Sequence, residues 1–120
     1  MLNKSTENVD AAFLLKQCGF YAGSINRSYY AVYQNILNFY TPSSLDIESA
    51  SSHENTIKEF CKKFNDFKLR IRVQSEIKEL KNMRKKADYS VDEISENDAD
   101  KALKKSKNII REIDAHKLEF

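Results

Sequence analysis

The feature that most constrains this chain is a shortage of punctuation: two glycines and one proline in 120 residues. All-β sandwiches and barrels need a turn every few residues, built largely from Gly, Pro, Asn and Asp, so so few breakers predict long helices. Hydrophobic residues make up 41% and charged residues 32% of the sequence, a balance too apolar for a disordered tail. The length suits one domain with one core over residues 1–120 and excludes a multidomain enzyme. No segment repeats another, and no tract is of low complexity.

Five segments carry a helical period. The first, Thr6 to Gln17, has apolar residues on so wide an arc that it should be covered on two sides, with Gly19 as its stop. The second, Phe20 to Tyr40, repeats Ala22, Ile25, Tyr29, Val32, Ile36 and Phe39 and ends before Pro42. Serine-rich residues Thr41 to Ser52 read as a loop that pins Leu45 or Ile47 to the core. Helix three starts near His53, capped by Ser51 or Ser52, with Ile57, Phe60, Cys61 and Phe64 inward. Helix four, Arg70 to Asp88, presents Val73, Ile77, Leu80, Met83 and Ala87. After an acidic connector, Ser95 and Asp98 form a capping box for helix five, whose stripe includes Ala102, Leu103, Ile109 and Ile113. The pattern predicts an all-α antiparallel bundle of four to five helices, helices two and four contributing most of the core.

The longest purely apolar run, Ala11 to Leu15, is far short of a membrane span, and acidic Glu7 and Asp10 contradict a signal peptide. The expectation is a cytoplasmic protein with no membrane contact. Cys18 and Cys61 stand apart among apolar neighbours, so both should be buried and inert, and neither pairs with a histidine at metal-ligand spacing. No metal and no cofactor is called for. The net charge of +2 is too small to name a partner. Its distribution says more: residues 58 to 86 hold 11 basic and 4 acidic side chains, whereas 87 to 100 hold six acidic and no basic ones. Such blocks suit electrostatic docking of RNA or of a charged protein, or else two solvated faces.

Three strings in register resemble a known family. They are Gly19-Phe20-Tyr21 leading into Ile25-Asn26-Arg27-Ser28-Tyr29-Tyr30-Ala31, then Ser52-His53 with Ile57 and Phe60, then Leu80 and Met83-Arg84-Lys85-Lys86-Ala87-Asp88-Tyr89. Together, over Phe13 to Ile113, they resemble the HEPN family. That resemblance implies a HEPN-like helical bundle and a homodimer. It also implies a role in a toxin-antitoxin or defence-type system, RNA- or nucleotide-associated, with a nucleotidyltransferase as a possible protein partner. Many HEPN proteins are metal-independent RNases carrying an arginine followed four to six residues later by histidine. Here Tyr89 or Ser90 stands where that histidine would be. Imidazole exchanges protons near neutral pH and a phenol does so only near pH 10, so the usual HEPN RNase activity is not expected and the resemblance is closest to a histidine-lacking branch. The alternative is a non-enzymatic immunity or antitoxin protein that binds and neutralises a partner toxin.

Helical wheels add candidate ligand- or partner-binding residues. Asn26 falls inside the apolar arc of helix two, with Arg27 and Tyr30 at its edge, and Arg84 falls inside the arc of helix four with Asp88 one turn on. An inward arginine needs a partner, which Asp88 or Asn26 would supply, either as a structural network or as a phosphate clamp at a dimer groove. Tyr89 completes the set. No catalytic residue is assigned. Tyr29 and Tyr33 are expected in the core and Tyr30 partly exposed. His53 is read as a cap-region residue bonded to the loop backbone, and His116 as part of a fraying terminus.

Overall fold

The computed structural model describes residues 3–40 and 50–120. They form five α-helices, α1 (Lys4–Gln17), α2 (Tyr21–Leu37), α3 (Ala50–Cys61), α4 (Phe67–Tyr89) and α5 (Glu96–Ala115), and a short 3-10 turn at Lys117–Glu119. No strand occurs among the described residues, and none of their helices is long and apolar enough to cross a membrane. The fold is the helical bundle that the sequence predicts.

Helix α2 is the one that every other helix touches. Its residues Ser24, Ser28 and Ala31 are small enough to admit neighbouring backbones, and the serines make that approach specific. Ser24 Oγ donates to Ala12 O of α1 at 2.7 Å, Ser5 Oγ of α1 donates to Ala31 O at 2.8 Å, and Ser106 Oγ of α5 donates to Ser28 O at 2.7 Å. These contacts run α1 antiparallel to α2, but α5 parallel to it, as does the bond from Asn35 Nδ2 to Asp114 Oδ1 at 3.2 Å. The partners α2 holds most closely are therefore α1 and α5. Helix α4 comes third as a neighbour of α2, yet the two helices supply more than half of the buried core cluster among the described residues, as the sequence predicts: Ile25, Tyr29, Val32, Tyr33 and Ile36 from α2 and Leu69, Val73, Ile77 and Leu80 from α4. Serine and alanine allow closer helix approach than the tyrosines that α2 turns towards α3 and α4.

Helix ends follow local chemistry. Gly19 at φ 82° closes α1, with Gly19 N donating to Lys16 O and Phe20 N to Leu15 O, a paired arrangement that needs the left-handed conformation. Helix α4 begins three residues earlier than the periodicity predicts because Asp66 caps it, accepting from the amides of Lys68 and Leu69. The Ser95 and Asp98 capping box is present, and its hydrogen bonds hold the Asp98 carboxyl below the usual range. Helix α3 starts at Ala50, so Ser51 and Ser52 lie inside the helix and are not its caps. The predicted Leu45 or Ile47 anchor lies outside the described residues.

Helix α1 packs on α2 and, more lightly, on α5, where Lys16 pairs with Asp100, and it leaves Phe13 and Leu14 exposed. Two further expectations are overturned. Cys18 is exposed, since α1 ends there and the chain turns away. Only Cys61 is buried, and burial pushes its thiol up to about 12. The C-terminus does not fray: Phe120 packs against Phe39, Phe60 and Phe64, and His116 sits edge-on to Phe64 with Nδ1 2.9 Å from Glu112 O.

The serine contacts make a measurable prediction. Ser106→Val removes one buried donor and adds a methyl group where no space is left, so urea denaturation should show a loss of about 1–3 kcal/mol, whereas Ser106→Ala should cost only about 1 kcal/mol.

Candidate functional site

Antiparallel packing of α2 on α4 brings the start of one helix beside the end of the other. Tyr30 is the hub of what results. The Arg84 guanidinium of α4 lies over the ring of Tyr29 at 4.9 Å and that of Tyr30 at 5.8 Å, while the Arg27 guanidinium of α2 lies 5.1 Å from the Tyr30 ring. Two positive charges thus converge on one half-buried aromatic residue. Tyr29 and Tyr33 are buried, as core residues, and Tyr30 is partly exposed.

A chain of polar groups links the two arginines. Arg27 Nη1 donates to Asn8 Oδ1 at 3.2 Å and Nη2 donates to Asn26 Oδ1 at 2.7 Å. Asn26 Nδ2 in turn donates to Asp88 Oδ2 at 3.4 Å, the same oxygen that pairs with Arg84 Nη1 at 3.5 Å. Asp88 is thus the partner of Arg84, and Asn26 reaches Arg84 only through it. The Arg84 side chain is 14% exposed, yet its one ion pair is long and its Nε has no hydrogen-bond partner among the described residues. The buried Tyr29 hydroxyl is likewise without a partner, and burial raises its phenol well above the usual range despite the opposing pull of Arg84.

The sequence wheels therefore bring together Asn26, Arg27, Tyr30, Arg84 and Asp88, and the structure adds Asn8. Tyr89 stands apart, 80% exposed at the last residue of α4. His53, read from the sequence as a cap-region residue, lies inside α3 and joins this site instead. Its ring stacks on Tyr33 with centroids 4.2 Å apart and meets Tyr30 edge-on at 6.2 Å, so this histidine belongs to the aromatic cluster that Arg84 covers. Residue 53 lies 31 positions before Arg84, and only the antiparallel return of α3 on α4 closes that gap. No local spacing signals it.

Chemically the arrangement has two guanidiniums, one nearby carboxylate and side-chain amides, a net positive site with unused donor capacity. Planar guanidinium groups recognise phosphate or carboxylate through paired N–H donors. If Arg84 is held chiefly by the tyrosine faces and Asp88, then Arg84→Ala should destabilise the protein by about 2 kcal/mol, and Arg84→Met with Asp88→Leu should recover most of that loss in thermal or urea unfolding.

A family model for the HEPN domain matches residues 1–116. No curated protein and no solved structure gives a match.

Proposed function

The chain belongs to the HEPN domain family, and from that premise we propose that it binds the phosphate of RNA or of a nucleotide at Arg84, as a module of a toxin-antitoxin or defence-type system. The observation that carries this reading is the convergence of Arg27 and Arg84 on Tyr30, with Asp88 paired to Arg84 and only amide oxygens bonded to Arg27. A bound phosphate would fill the Arg84 donors that Asp88 leaves free. Tyr30, partly exposed beside them, offers a ring edge to an adjoining base.

RNA cleavage by the usual HEPN arginine-histidine route is not part of this reading, because Tyr89 and Ser90 follow Arg84 at the positions where imidazole is needed. Arg84→Lys should keep the fold but weaken binding of an RNA oligonucleotide by about 1–2 kcal/mol through loss of the paired donors, and the Arg84→Met, Asp88→Leu protein should be stable and fail to bind. Full binding by that stable double variant would sink the clamp. Incubation of the wild type with RNA in a chelating buffer should give no cleavage. Cleavage that disappears in His53→Asn would show that the imidazole of the cluster does this work instead.

A second reading, a non-enzymatic antidote that covers a toxin, draws on the exposed apolar side chains Leu14 (62% exposed) and Phe20 (64% exposed) beside the α1 turn. Expression of the chain alone separates the two: a toxin slows growth and an antidote is harmless. The same surface suits a homodimer, so light scattering at micromolar concentration should give twice the mass of one chain, and Leu14→Glu with Phe20→Glu should return it to a monomer.

A further inference from the structure

Helix α3 returns antiparallel along α4 and leaves between them a cleft of about 490 Å³. Among the described residues Lys58, Lys78 and Lys81 line it, against one acidic residue, Glu54. Glu54 follows His53 of the aromatic cluster directly, and Lys81 lies one turn before Arg84 and Lys85 on α4, so the cleft begins where the arginine site ends. The other side of α4 is different. There Arg72 is paired with Glu112 at 2.7 Å and Glu79 with Lys105 at 2.8 Å, so α5 neutralises these two, whereas Lys78 and Lys81 of α4 face the cleft with α3.

We infer that this cleft carries a single strand of RNA onward from Arg84, with Lys78, Lys81 and Lys58 following its phosphates. The inference rests on the phosphate-clamp reading above and extends it to a path. From Arg84 to Gln74, at the far end of the cleft, the rise of an α-helix gives about 15 Å. That span holds roughly four nucleotides at the per-strand spacing of about 3.4 Å, and fewer if the strand is stretched. A positively charged groove that tracks the backbone is how single strands are held without sequence preference, and the partly exposed Tyr30 at the arginine end supplies the aromatic ring on which a base stacks.

The shape of the floor favours RNA over a protein helix. Of its three isoleucines, Ile57 and Ile77 are buried in the core and only Ile71 presents much surface. That is enough to support a base but far below the roughly 800 Å² per partner of a stable protein interface.

One contact within the cleft gives the path a device of its own. Lys81, with only 8% of its side chain exposed, donates to Glu54 Oε1 at 2.8 Å, while the Glu54 side chain is 64% exposed. A phosphate entering the cleft competes with that exposed carboxylate for Lys81. Glu54 therefore acts as a stand-in anion that holds Lys81 in place and sets the threshold for binding.

The experiment is fluorescence anisotropy of the full chain with labelled oligouridylates, a dinucleotide, a tetranucleotide and an octanucleotide, over a range of salt. Affinity should rise several-fold from the dinucleotide to the tetranucleotide and then level off. Lys78→Gln should abolish that rise and reduce the salt slope of the tetranucleotide by about 0.7. Glu54→Gln should tighten the tetranucleotide several-fold and leave the dinucleotide unchanged, with far-ultraviolet dichroism confirming that both variants fold. Binding that depends on Arg84 but not on length, Lys78 or Glu54 overturns the path and leaves the clamp standing. Absence of binding to every oligonucleotide by the wild type overturns both. Lys78-dependent capture of an acidic amphipathic peptide without RNA binding overturns the path in favour of a protein occupant.

Discussion

Everything in this bundle depends on a helix that is enclosed by its neighbours. Helix α2 is fixed by hydroxyl-to-carbonyl bonds linking it to α1 and α5, from Ser24, Ser5 and Ser106. A buried hydroxyl that loses its partner is costly, so each bond excludes slippage of one helix along another more strongly than its small net contribution to stability suggests. The apolar contacts alone would tolerate several rotations of α2. The serines select one.

That rotation determines the site. With its serine face committed to α1 and α5, α2 must turn Tyr29, Tyr30 and Tyr33 towards α3 and α4, where Arg84 and His53 meet them. The large aromatic side chains hold these helices further off than serine and alanine hold α1 and α5. The wider spacing admits a guanidinium between helices. Arg84 is retained there by the ring faces and a long pair to Asp88, a combination that shields the charge from water without consuming its donors.

Charge is arranged on the same logic. The basic block of residues 58–86 does not form one uniform face, because Glu112 and Lys105 of α5 engage Arg72 and Glu79 on one side of α4. On the α3 side Lys58, Lys78 and Lys81 line one cleft with Glu54. In the acidic block, Asp98 caps α5, Asp100 pairs with Lys16 at 2.6 Å and Asp88 belongs to the arginine site, so part of it is consumed by structure.

Much of this was readable in the order of residues. Scarcity of glycine and proline, together with three- and four-residue apolar spacing, determined that the chain is helical, where its helices run, that Ser95 begins the last of them, that Asn26 and Arg84 lie within apolar arcs, and that Asp88 follows Arg84 by one turn. These are properties of a single helix, set by its own period and caps. Three other features depend on which helix faces which: the exposure of Phe13, Leu14 and Cys18, the docking of Phe120 on three phenylalanines, and the arrival of His53 at Tyr30. A wheel gives the direction of a side chain but not what stands opposite it, and the apolar arc of α1 looks the same whether one side or two are covered. Those outcomes were decided only when small side chains on α2 let α1 and α5 close in, leaving α3 to return along α4 and place the His53 imidazole beside the Tyr30 ring that Arg84 covers, 31 residues before that arginine in sequence.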